Sequence, residues 1–379
     1  MKSIYKSLGN YIHEVDIRNT DMSVTKLMGV NLSKKMMPSV ANVIGTDLSV
    51  YKVVKKRQFA CKLMSVGRDA CLPIALKLDD EPVIISSAYY AFEVNDEDEI
   101  LPEYLMLCFL RPDFDRELWF RTGGDVRGGV TWDAFCNICI PILPIAEQRI
   151  LVNQYQVISD RMNILRDMNS CLQSIIDTYF EQFYETYCKT EVNLSDLCAL
   201  TSSKRVFAED YVSEGIPFYR GGEISLKKIG EPIEDPLFIS REQYNAIKKN
   251  YGIPSKGDIL ITAVGTIGNS YFVEDEDFYF KDGNIIWLKD FIEEGYRYFV
   301  YEFFQPKMFK VLLNSLYIGS TQIALTIVGL SQLKLNIPSI SFLKEYEKNS
   351  AKLRKSIQDN QNELSTLHNL SRMLLVTGA

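Results

Sequence analysis

The chain has 379 residues, 46% of them hydrophobic and 24% charged, with a formal net charge of -7. That length suits two or three compact units, each large enough to bury its own core. No run approaches the roughly 20 apolar residues of a membrane span, and residues 1–10 lack the apolar stretch and small-residue cleavage site of a secretory signal, so a cytoplasmic protein with no membrane partner is expected.

The first stretch is mixed α+β. Residues 59–78 contain an apolar segment with Val66 and Gly67, residues 82–94 predict a strand, and residues 102–121 a helix. A polar turn follows at Gly123, Gly124, Asp125, Val126 and Arg127. Then Thr131, Trp132, Phe135, Ile138, Ile140 and Pro141 predict a short apolar strand ending in proline, running into a helix over Ile145–Tyr187.

The same order returns about two hundred residues later. Residues 215–224, 257–273 and 283–288 predict short strands broken by glycine turns, and 293–313 an aromatic-rich helix. A polar turn at Gly319, Ser320, Thr321 and Gln322 precedes Thr326, Ile327, Leu330, Leu333, Leu335, Ile337 and Pro338, and a second long helix covers 342–375. A repeated unit implies a repeated job. The expected division is a head over 1–143, a helix over 144–188, a second head over 189–340 and a helix over 341–379.

Both long helices carry heptad seams. In the first, Leu151, Tyr155, Ile158, Met162, Leu165, Asn169, Leu172, Ile176, Tyr179 and Phe183 succeed one another at steps of four and three. In the second, Tyr346, Ser350, Leu353, Ile357, Asn360, Leu364, Leu367, Ser371 and Leu374 do the same. Step counting puts Asn169 at an a position and Asn360 at a d position. In an antiparallel pair these layers face, and a buried Asn169–Asn360 contact would fix register. Alternatively each asparagine faces solvent or another subunit.

Among eight cysteines only Cys136 and Cys139 have metal spacing, and His13 and His368 are the only histidines. A zinc site needs about four ligands, so no metal is expected, and the two cysteines read as small residues flanking a strand. A Cys-His or Ser-His nucleophile pair is disfavoured by the same scarcity.

The acidic balance argues against a nucleic-acid partner, because backbone affinity comes from lysine and arginine neutralising phosphates. Basic residues are nevertheless dense locally: Arg111, Arg116, Arg121 and Arg127 in the first head, and Lys204, Arg205, Arg220, Lys227, Lys228, Lys248, Lys249 and Lys256 in the second. Any one cluster reads as a solvated face as readily as a binding site.

The Gly-Asp-Ile-Leu and Gly-Thr-Ile-Gly segment at 257–268, the Gly-Ser-Thr-Gln turn at 319–322, and the strand with Pro141, Pro144, Glu147 and Gln148 leading into a heptad helix resemble the specificity subunits of type I restriction-modification systems. The resemblance extends over essentially the whole chain. It implies two target-recognition domains, each reading one half of a split double-stranded DNA target. It further implies that the helices space them and recruit two modification (methyltransferase) subunits, with restriction/translocase subunits in the full complex. The second copy departs from the first, with Ser341, Lys344 and Glu345 set against Pro144, Glu147 and Gln148, and the first head has Gly67, Arg68, Asp69 and Ala70 in place of Gly-Thr-Ile-Gly.

Arginine forks onto guanine and amides onto adenine, so the candidate DNA contacts are Arg68, Arg121 and Arg127 in the first head and Arg220, Thr266, Asn269, Ser320, Thr321 and Gln322 in the second. Turn-stabilising hydroxyls are the competing role for Thr266, Ser320 and Thr321. No GxxxxGK[ST] loop is present, and Asp235, Pro236, Leu237, Phe238 lacks the second proline of an amino-methyltransferase motif. A non-catalytic chain without a cofactor is therefore expected, ahead of a single-chain methyltransferase or endonuclease fragment, or a coiled-coil scaffold without DNA readout.

Overall fold

The computed structural model describes residues 4–39, 45–123, 129–265, 267–305, 307–309 and 325–377. The chain forms two compact units, residues 1–160 with 369–379, and residues 161–368. The architecture is α+β with two long helices, Ile145–Tyr187 and Ile340–Thr377.

In the first unit, strand Ile4–Ser7 pairs antiparallel with Cys139–Ile142. An antiparallel sheet then runs in the order Ile12–Glu14, Tyr90–Val94, Phe59–Cys61, Ile74–Leu76. Its core face carries Phe59 stacked on Phe92 at 4.7 Å, with Phe109 edge-on to both. The helix expected over 102–121 is two helices, Pro102–Phe109 and Pro112–Phe120. Pro112 forces the break: it holds Arg111 in extended backbone, and its own ring fits only a first helical turn. Residues 82–94 likewise hold two strands, Val83–Ile85 and Tyr90–Val94.

The second unit repeats the plan. Strand Thr190–Asn193 pairs antiparallel with Lys334–Ile337, and the main sheet runs Ala199–Thr201, Ile285–Lys289, Ile259–Thr262, Ser270–Phe272. Strand for strand this is the connectivity of the first head. A further sheet, Tyr211–Val212, Leu237–Ile239, Ile216–Tyr219, Tyr279–Phe280, is added beside it. Residues 215–224 are a strand only to Tyr219; helix Gly221–Ile229 follows, because Glu223 accepts the Arg220 N–H at 3.0 Å and satisfies an orphan donor of the first turn.

Each closing strand is preceded by one helical turn that the apolar spacing did not reveal: Trp132–Cys136, capped by Thr131 Oγ1 accepting Ala134 N–H, and Ile327–Ser331, capped by Thr326 Oγ1 accepting Gly329 N–H. Strand register makes Pro141 the counterpart of Asn336, so the two prolines are not equivalent. By the same offset Gln148 corresponds to Leu343, not to Glu345. Gln148 is fully buried; its amide accepts from Leu101 N–H at 2.9 Å and donates to the Glu99 and Leu143 carbonyls at 2.9 and 2.8 Å. Leu343, equally buried, packs against Gly295 at the start of helix Gly295–Phe303.

Within the second unit the long helices run antiparallel. Arg161 forks onto Glu363, Asn169 meets Asn360, Tyr179 stacks on Tyr346 at 5.2 Å, and Tyr187 lies 4.3 Å from Phe342, ring to ring. Asn360 Nδ2 donates to Asn169 Oδ1 at 2.8 Å. Removing one amide leaves the other without a partner in a half-buried seam, whereas an apolar pair of similar shape does not. Asn169→Leu and Asn360→Leu alone should each lower stability by about 1–3 kcal/mol, and the double variant should recover most of the loss or exceed the wild type in urea denaturation.

Glu231, beside helix Gly221–Ile229, is held by His368 Nε2 at 3.1 Å and Arg166 Nε at 2.7 Å. Hydrogen bonds from His368, with those from Arg166, pull its carboxyl down to about 2 against the burial that opposes them. A carboxyl depressed by folding adds stability above its ordinary range and loses it as pH falls toward the folded value. The destabilisation caused by Glu231→Gln should thus be full at pH 7 and should shrink as pH is lowered from about 4.5 toward 2, measured as the gap between the two urea midpoints.

Candidate nucleic-acid interface

In the first head Arg68 sits on the single turn Val66–Asp69, which contacts helix Pro112–Phe120. Its side chain is 69% exposed and forks onto Asp69 at 2.7 and 2.8 Å. Arg121 follows the second helix and donates to Glu117 at 2.9 Å. Arg127 lies outside the described residues, and the chain re-enters beside Leu63 and Met64: Val130 N–H donates to Leu63 O at 3.2 Å, and Gly129 runs so close to Met64 that a Cβ there would lie 2.9 Å from the Met64 Cα. Met64, Trp119 and Phe120 are exposed in the same segments. Sequence reasoning missed them, although Phe114 and Leu118 already mark the buried face of their helix and leave Phe120 off it.

In the second head Arg220 and Asn269 are brought together at helix Gly221–Ile229. Arg220 Nε donates to Glu223 Oε1 at 2.9 Å, and Nη2 reaches the same oxygen. Glu223 is buried, the largest single influence, which on its own would raise its carboxyl; the hydrogen bonds and charge of Arg220 together with the Glu223 backbone N–H hold it below the ordinary range. Asn269 Nδ2 donates to Ser225 Oγ at 2.9 Å, and its N–H to Thr262 Oγ1 at 3.0 Å, so the hairpin loop is tied to the helix. Gly268 turns that loop at φ +85°, with the Phe309 ring where a Cβ would stand. Thr266, Ser320, Thr321 and Gln322 lie outside the described residues. The chain re-enters at Leu325, whose N–H donates to Ala263 O at 3.3 Å at the base of the same hairpin. Val130 onto Leu63 and Leu325 onto Ala263 are the same connection made once in each head.

Besides Arg121 and Arg220, four of the basic residues singled out are neutralised locally: Arg111 by Asp113, Arg205 by Asp282, Lys227 by Glu276 and Lys256 by Asp275. Lys204, Lys248 and Lys249 have no ion-pair partner among the described residues, and Lys204 Nζ lies 5.2 Å above the exposed Tyr251 ring. These three, with Tyr251, form an exposed cationic and aromatic patch, the residue types that a phosphate backbone would need.

A family profile for the type I restriction modification DNA specificity domain matches residues 189–364. The match lies within the second unit and covers a little under half of the chain. A putative type I restriction enzyme specificity subunit of Haemophilus influenzae is 31% identical over 150 residues, 39% of this chain and 36% of that protein. The chain thus matches about a third of that relative's length. In overall fold it is similar to the type I restriction-modification S subunit of M. genitalium, at TM-score 0.55 and 13% identity, with 99% of this chain and 95% of that one covered. Among the described residues no helix is long and apolar enough to cross a membrane, and no group of three or more His, Cys, Asp or Glu side chains is placed to hold a metal ion.

Because Glu223 is buried against Arg220, Arg220→Ala leaves a desolvated carboxylate without its main partner. It should destabilise the chain by about 1–3 kcal/mol in urea melts without any DNA present, and Arg220→Ala combined with Glu223→Gln should recover part of that loss.

Proposed function

We propose that the chain is the DNA sequence-specificity subunit of a type I restriction-modification complex, with heads over 1–143 and 189–340 each reading one half of a bipartite target. The observation that carries this is the duplication of one sheet connectivity and one loop return, Val130 to Leu63 and Leu325 to Ala263, around different side chains. Two similar scaffolds with different loops suit two different half-sites. Arg68, Arg121 and Arg127 would read the first, and Arg220, Thr266, Asn269, Ser320, Thr321 and Gln322 the second. Arg68 already forks onto the Asp69 carboxylate and Arg220 holds a single oxygen of Glu223, partners with which a guanine edge would have to compete.

The helices over 144–188 and 341–379 would set the spacing and dock two modification subunits, with restriction/translocase subunits completing the assembly. Supporting this, the first long helix keeps a second apolar row out of its seam: Ile150 and Val157 in the first unit, and Ile164, Met168 and Ile175 in the second, are all exposed. Exposed apolar side chains recurring along a helix suit contact with a partner. The chain itself would be non-catalytic, and the methyl transfer would belong to its partners.

Reconstitution tests this directly. With modification subunits and S-adenosylmethionine, the chain should direct adenine methylation to a split target, and alone it should transfer no methyl group. Arg220→Ala should cost about 1–3 kcal/mol of discrimination at one position of one half-site and leave the other half unchanged. Methyl transfer by the chain alone would refute the non-catalytic assignment, and an equal loss on every sequence would make Arg220 a phosphate contact.

A further inference from the structure

Beside its main sheet the second head carries the four-stranded layer Tyr211–Val212, Leu237–Ile239, Ile216–Tyr219, Tyr279–Phe280. Helix Arg241–Tyr251 packs on that layer: Tyr244 and Ile247, three residues apart, are buried with Val206, Phe218, Ile239 and Tyr279 in one cluster. With that face turned inward, Lys248, Lys249 and Tyr251 in the last turn are left exposed. The segment that contributes Val206 also contributes Lys204, whose Nζ lies 5.2 Å above the exposed Tyr251 ring. Lys248 stands three residues before Tyr251, the spacing of neighbours on one side of a helix. Cations from two separate segments therefore gather about one aromatic ring.

None of the three amines has a hydrogen bond or an ion pair among the described residues. The two contributing segments, 201–207 and 241–251, hold one carboxylate, Glu242, in the first turn of the helix and about 9 Å of rise from Lys248. Arg205, next to Lys204, is by contrast paired with Asp282. A helix dipole favours lysine in the last turn, which accounts for 248 and 249 but not for Lys204. Like charges held together repel, and an anion relieves the repulsion. The exposure of the patch selects the kind of anion. A small ion on an open surface keeps its water, whereas a duplex with one charge per about 1.7 Å of its axis meets several amines at once. Lysine offers a point charge without the arginine fork, which suits phosphate and carries no base code.

We propose that this face of the second head is a sequence-independent clamp on the phosphate backbone of double-stranded DNA, with Lys204, Lys248 and Lys249 as its phosphate contacts. It lies outside the sheet connectivity that the two heads share. The clamp rests on the reading above that the chain binds DNA, and it divides the work within the head: Arg220 and the loop residues select the half-site, and the three lysines supply the salt-dependent hold.

The test is a salt series of DNA binding by the full chain assembled with modification subunits, on one duplex that the complex methylates and one that it does not. The triple variant Lys204→Gln, Lys248→Gln, Lys249→Gln should keep the wild-type urea midpoint and assemble normally, because all three side chains are exposed. Its plot of log affinity against log salt should be shallower by about 2–3 on both duplexes, and its affinity at low salt should fall about tenfold or more with the ratio between the duplexes kept. Each single variant should take roughly 0.9 from the slope, and these decide if the triple variant does not fold. Lys→Arg at the three positions should restore the slope. An unchanged slope, or a loss confined to the methylated duplex, overturns the clamp and leaves the DNA reading standing. Loss of subunit assembly in place of DNA affinity makes the patch a protein contact and overturns the clamp as well, and a wild-type complex that binds no duplex overturns both.

Discussion

Each head is closed by one antiparallel strand pair, and the helices are where they are because of it. In the second unit the first long helix ends at Tyr187, strand Thr190–Asn193 enters the head, strand Lys334–Ile337 leaves it, and the second long helix begins at Ile340. Two antiparallel neighbouring strands bring the incoming and outgoing chain to the same place with opposite directions. The helices attached to them are therefore side by side and antiparallel before any seam residue makes contact. The aromatic layer of Tyr179, Phe183 and Tyr346 packs on that constraint, and Asn169 with Asn360 holds the register farther along.

The long helices were legible because a period of three and four over some forty residues has few other meanings. The strand-proline-helix repeat was legible as a repeat, but its alignment was not. Proline at 141 and 338 invited a match that strand pairing moves by two residues, and only hydrogen-bond partners reveal it. Thr131 and Thr326 each cap a turn of five residues, too short for an apolar period to distinguish from a strand. At 215–224 the two glycines looked like a turn, whereas Glu223 three residues after Arg220 was the stronger signal for a helix start.

Charge was the least legible property. A row of arginines and lysines reads as a basic surface only until the fold supplies their carboxylates, and Arg111, Arg205, Arg220, Lys227 and Lys256 all acquire one. The acidic total is thus consistent with a basic minority, Lys204, Lys248 and Lys249 among them, that finds no carboxylate among the described residues. Ion pairing across distant segments cannot be read from composition, since it depends on which loops the sheets bring together.

The exchange of Gln148 for Leu343 at the foot of the two heads replaces a polar fastening by an apolar one. The first foot is fastened by an amide bonded to three backbone groups, the second by an aliphatic side chain against Gly295. Apolar contacts weaken on cooling, while amide hydrogen bonds do not depend on the same hydration entropy. A duplicated fold thus rests part of one joint on hydrogen bonds and the matching part of the other on apolar contact, the contribution that falls on cooling.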